Sequence, residues 1–79
     1  MEPQYIDLLR LIAEEGEVYP GFFSDELDVP SYRIDEMLKK LCKEGYITCR
    51  TYTTPGGKVK YIEPIITTKG SERIREKLI

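Results

Sequence analysis

Lys39, Lys40 and Lys43 stand together on one side of a stretch whose other side is apolar, with Arg33 on its flank and Ser31, Tyr32 and Glu36 close by. Ammonium groups at this density neutralise phosphate oxygens, and an arginine fork can hold a guanine edge through two hydrogen bonds. Arg50, Lys58 and Lys60 follow, and no acid lies between residues 45 and 62. The chain as a whole has a formal net charge of −2, so this concentration of cations is local. Residues 1–29 hold one base, Arg10, against eight acids, a net of −7. Residues 30–60 hold seven bases against three acids, a net of +4, and residues 61–79 hold four against three, a net of +1. A polyanion responds to the local field rather than to the total, so the middle segment is where one would dock.

Other chemistries are poorly equipped. There is no histidine, and the two cysteines, Cys42 and Cys49, fall short of the roughly four ligands that zinc takes. No metal and no cofactor are expected. No nucleophile stands at catalytic spacing from a base, and Gly56-Gly57 lacks the strand-to-helix setting of a phosphate loop, so an enzyme is not expected either. The spacing leaves a Cys42–Cys49 disulfide open, but Cys42 falls on an apolar helix face, where a free thiol behaves as a small hydrophobe. Glu14, Glu15 and Glu17 read as a solvated helix end rather than a metal cluster.

Seventy-nine residues, 41% of them hydrophobic, allow one small core and a single domain over residues 1–79. No apolar run approaches the roughly 20 residues needed to cross a bilayer. Met1-Glu2-Pro3-Gln4 lacks the basic and apolar regions of a signal peptide, so a cytoplasmic protein with no membrane partner is expected. The chain has no asparagine, one glutamine (Gln4) and 33% charged residues, a balance that hints at a hot environment.

The elements that must hold the cations are legible from periodicity. Tyr5, Leu8, Leu9, Leu11 and Ile12 predict an amphipathic helix over about residues 3–15, stopping before Gly16. Tyr19-Pro20-Gly21 is a turn signal, after which Phe22 and Phe23 plug the core and Ser24 caps a short helix over about 24–29. Val29-Pro30 ends it. Ser31 then reads as the cap of a helix over about 31–44, buried along Ile34, Met37, Leu38, Leu41 and Cys42, with Gly45 closing it in the left-handed region. The β-branched and aromatic runs after Gly45 predict a hairpin over about 46–63, turning at Thr54-Pro55-Gly56-Gly57, with Tyr46, Tyr52 and Tyr61 packed along it; Pro64 interrupts, and Ile65-Ile66-Thr67 can extend the second strand. Thr68 caps a last helix over about 69–78, in which Ile74 and Leu78 share a face.

The order is helix, helix, helix, hairpin, helix, a mainly α fold with a small β-hairpin. A short helix followed after a tight turn by a longer one is the helix-turn-helix arrangement, whose second helix enters the major groove. A basic hairpin beside it makes a winged helix-turn-helix. Double-stranded DNA is the partner this division of faces favours, with a transcription regulator as the functional class. The competing reading is a winged helix that binds protein through its acidic first third, or through Tyr32 and Met37; fold alone does not separate the two.

Three segments resemble winged-helix regulators of the MarR and PadR type over about residues 23–79. Leu41-Cys42-Lys43-Glu44-Gly45-Tyr46-Ile47 is similar to the end of their recognition helix, and Pro55-Gly56-Gly57-Lys58-Val59-Lys60-Tyr61 to their glycine-tipped wing. Ile66-Thr67-Thr68-Lys69-Gly70 is similar to their entry into the C-terminal helix. The resemblance implies DNA contacts at Ser31, Tyr32, Arg33, Glu36, Lys40 and Lys58. Glu36 departs from a basic reading face, and the last helix is shorter than the dimerising segment of many such proteins. A homodimer is expected to use Tyr5 and Leu9 of the first helix with Ile74, Leu78 and Ile79; the alternative is that the last helix lies on the first helix of its own chain. The sequence leaves open whether a small-molecule effector binds.

Overall fold

The computed structural model describes residues 2–15, 18–19 and 21–78, with residues 76–78 as backbone alone. Gly16, Glu17, Pro20 and Ile79, which enter the readings above, lie outside the described residues, as does the side chain of Leu78. The elements run α1 (Pro3–Glu14), α2 (Phe22–Leu27), α3 (Ser31–Lys43), β1 (Ile47–Thr53), β2 (Val59–Ile66) and α4 (Thr68–Leu78). This is the winged helix-turn-helix order expected from the sequence.

The apolar stripes meet in one core. Tyr5, Leu8, Leu9 and Ile12 of α1 pack with Phe23 of α2, with Ile34, Met37, Leu38 and Leu41 of α3, and with Ile47 at the start of β1. Each such side chain contributes about 1.5–3 kcal/mol by leaving water. Phe22, Cys42, Cys49, Tyr46, Tyr61, Ile66 and Ile74 line its edge half-buried. Tyr52, expected along the hairpin, is instead 50% exposed, because the core ends short of the outer strands.

Helix caps differ from expectation by one or two residues. α2 begins at Phe22, so Ser24 lies inside it and its hydroxyl donates to the Val29 carbonyl beyond the helix end. Ser31 is the first residue of α3, with Pro30 at the cap position and no side-chain cap hydrogen bond. Thr67, rather than Thr68, caps α4: its Oγ1 accepts from the Gly70 N–H at 3.1 Å. The second strand runs through Pro64 to Ile66, so the proline does not interrupt it and the extension open to Ile65 and Ile66 is realised. A bulge makes this tolerable, since Thr48 pairs with Ile65 and Arg50 with Ile62, leaving two β2 residues opposite one of β1. Glu63 sits there with φ +50.

Tyr5 and Leu9 are only 6% and 0% exposed within the chain itself, and Ile74 packs against the same core. Tyr5 and Leu9 are core residues and Ile74 lies half-buried against them, so they do not supply the dimer surface expected of them: α4 lies on α1 of its own chain.

The joint between α3, β1 and α4 is the tightest in the molecule. Gly45 leaves α3 with φ +84, and the Thr67 N–H donates to the Tyr46 carbonyl at 3.1 Å. Thr67 Oγ1 donates to the Gly45 carbonyl and Lys69 Nζ to that of Glu44, both at 2.7 Å. A β-carbon on Gly70 would lie deep inside the Tyr46 carbonyl oxygen and 2.7 Å from Ile66 Cγ1. In an open helix alanine is better than glycine by about 0.5–1 kcal/mol, but overpacking typically costs about 1–3 kcal/mol. Gly70→Ala is therefore expected to destabilise the fold by about 1–3 kcal/mol, read by urea unfolding. A neutral or stabilised variant would show that the joint opens without cost.

Candidate nucleic-acid interface

α3 carries most of the site, and two neighbours hold it from opposite flanks. Its outer face exposes Ser31, Tyr32, Glu36, Lys39, Lys40 and Lys43, with Tyr32 at 66% exposure. On the α1 side, Arg33 reaches Glu2 at 3.4 Å and Glu36 at 3.7 Å. The Arg33 guanidinium and the Lys40 ammonium both lie over the Tyr5 ring, 5.7 and 5.2 Å from its centre. Tyr5 thus buries its ring in the core and presents a π face to two cations of α3.

On the wing side, Lys60 Nζ meets Asp35 Oδ2 of α3 at 2.7 Å. Arg50 pairs with Glu63 across the hairpin at 3.3 Å. Lys58 lies just before β2, in a turn closed by the Thr54 N–H to the Lys58 carbonyl at 2.8 Å and the Gly57 N–H to the Thr54 carbonyl at 2.9 Å. Among the described residues, Lys39, Lys40, Lys43 and Lys58 make no ion pair, and of these only Lys40 rests on an aromatic ring.

The structure therefore divides the residues singled out by sequence. Ser31, Tyr32, Glu36, Lys39 and Lys43 share the outer face of α3, and Lys58 is exposed at the hairpin turn. Arg33, Lys40, Arg50 and Lys60 are engaged with protein groups. Glu2, Tyr5 and Asp35 were not recognisable as partners of these cations, because 31, 35 and 25 residues separate the pairs Glu2–Arg33, Tyr5–Lys40 and Asp35–Lys60. Lys69 was missed as well; it stacks on Tyr46 at 4.5 Å while bonding the last turn of α3, where a cation suits the helix dipole.

This arrangement superposes on solved proteins over nearly its whole length. A transcriptional regulator from Thermotoga maritima matches 98% of this chain at 29% identity, with a TM-score of 0.71. A MarR family protein of Mycobacterium tuberculosis, solved in complex with p-aminosalicylic acid, matches 96% at 12% identity, with a TM-score of 0.73. The fold is a MarR-like winged helix. The winged helix spans about half the length of both structures, 52% and 55% respectively. No protein-family model and no curated protein matches the sequence.

The two thiols sit where α3 meets β1 of the wing, both free and half-buried. Burial, then the charge of neighbouring Cys42 and a hydrogen bond with it, push the Cys49 thiol up to about 12. A thiol raised on folding stabilises the fold below its ordinary value, 9.0, and that contribution is lost as pH rises toward about 12. Wild type is expected to exceed Cys49→Ala in urea midpoint at about pH 8, with the gap narrowing by about pH 11. A gap independent of pH would contradict the buried thiol.

Proposed function

We propose that this winged helix binds double-stranded DNA as part of a transcription regulator, α3 in the major groove and the hairpin turn on the flanking backbone or minor groove. The observation that carries the reading is the outer face of α3, where Lys39 and Lys43 stand without ion-pair partners beside Ser31, Tyr32 and Glu36, while Lys58 extends from the wing. Lysines of this kind serve phosphates as point charges and contribute affinity more than sequence preference. Ser31, Tyr32 and Glu36 supply the hydrogen-bonding groups that meet base edges; a glutamate accepts from the cytosine amino group. Arg33 and Arg50 reach DNA by exchanging their ion pairs for phosphate or guanine, and exposed pairs of this kind are worth only about 0–1 kcal/mol.

Two copies reading half-sites about one helical turn apart complete the proposal. Because Tyr5, Leu9 and Ile74 serve the core, such a homodimer uses other surface. A cytoplasmic location follows from the same reading, and no catalytic step belongs to it. The described residues contain no helix long and apolar enough to cross a membrane.

The test is an electrophoretic mobility shift with the duplex upstream of the protein's own gene, repeated over a range of salt. Binding is expected to weaken steeply with ionic strength. Lys39→Glu with Lys43→Glu is expected to lower affinity on the order of a hundredfold at unchanged helical circular dichroism, with a salt slope reduced by roughly two contacts. Unchanged affinity in that folded variant would overturn the reading. Salt-insensitive binding to a protein partner, with none to duplex, would favour the protein-binding alternative.

A further inference from the structure

The hairpin reaches well beyond the core that supports it. Ile47, Cys49 and Ile66 anchor its base, and Tyr61, opposite Thr51, packs against the core farther out, whereas Thr51, Tyr52, Thr53 and Val59 are exposed. A two-stranded ribbon is marginal on its own, and no third strand pairs with this one among the described residues. Beyond Tyr61 the ribbon needs another tie if it is to keep a fixed angle to α3.

One ion pair stands where that tie is needed. Lys60 Nζ lies 2.7 Å from Asp35 Oδ2, and the two side chains are only 35% and 32% exposed. By contrast, the Arg50–Glu63 pair stays within the hairpin and is 77% and 57% exposed. Asp35 occupies the wing-facing flank of α3, next to Glu36 of the outer face. Among the described residues no other ion pair joins α3 to the hairpin.

We infer that Asp35 and Lys60 form a strut that sets the wing against the reading helix, making Lys60 a positioning residue rather than a phosphate contact. The hydrogen bond to Asp35, then its charge, hold the Lys60 ammonium above its ordinary range, so the strut keeps its cation at neutral pH. This inference rests on the DNA-binding reading for its consequence, but the strut itself is a property of the free protein.

The two roles for Lys60 predict opposite signs for one substitution. If Lys60 served phosphate, Asp35→Ala would free it, remove a negative charge beside a polyanion, and tighten binding. As a strut, Asp35→Ala weakens duplex binding several-fold, Lys60→Ala does the same, and the double variant is no weaker than the worse single one. Amide hydrogen exchange of the free protein supplies the arm that needs no DNA. Asp35→Ala is expected to speed exchange in residues 51–53 and 59–61 while α1 and α3 keep wild-type protection. Duplex affinity of Asp35→Ala at or above wild type would overturn the strut, as would unchanged exchange in the hairpin. Wild-type protein that ignores duplex DNA would instead overturn the proposed function, and the exchange result would still decide the strut.

Discussion

The position of the wing depends on the absence of a β-carbon at Gly70. The first turn of α4 comes so close to the Tyr46 carbonyl that only hydrogen fits between them. That carbonyl accepts from Thr67, whose side chain caps α4 and bonds Gly45 in turn. The chain leaving α3 is thereby clamped before β1 begins. Ile47, the next residue, is 1% exposed and enters the core beside Leu41 and Met37, so the clamp and the core fix the same point from two sides. Loss of the clamp would leave α3 intact but would free the direction in which the hairpin sets out.

Given that geometry, the cations of the middle segment fall into two groups with different work. Arg33, Lys40, Arg50 and Lys60 face carboxylates or a ring of the protein itself. Among the described residues, Lys39, Lys43 and Lys58 do not. Arg33 and Lys40 tie α3 to the start of α1, Lys60 ties it to the wing and Arg50 braces the hairpin alone, while the second group meets solvent. A net of +4 over residues 30–60 is thus a weaker statement than it looks, since much of that charge is already answered from within the fold.

Periodicity made the element order and the buried stripe of α3 readable, because Ile34, Met37, Leu38 and Leu41 can share a face only in a helix. Cap positions were misjudged where serine preference was weighed alone: Phe22 and Phe23 pull the start of α2 toward the core, leaving Ser24 inside it. Apolar spacing showed that Tyr5, Leu9 and Ile74 are buried but not against what, and their partner is their own chain. The pairing of Lys60 with Asp35 lay beyond sequence reasoning altogether, since strand alternation fixes a face and not the neighbour across it. Gly70 was visible as part of a family-like motif, yet its reason, a backbone approach from residue 46, exists only in three dimensions.

The measurement that bears most directly on this division of cations is lysine acetylation of the protein, free and saturated with duplex DNA, read residue by residue by mass spectrometry. Protection by DNA is predicted at Lys39, Lys43 and Lys58, with Lys60 and Lys69 modified slowly and equally in both states. DNA-dependent protection at Lys60 and Lys69, with Lys39 and Lys43 unaffected, would contradict it.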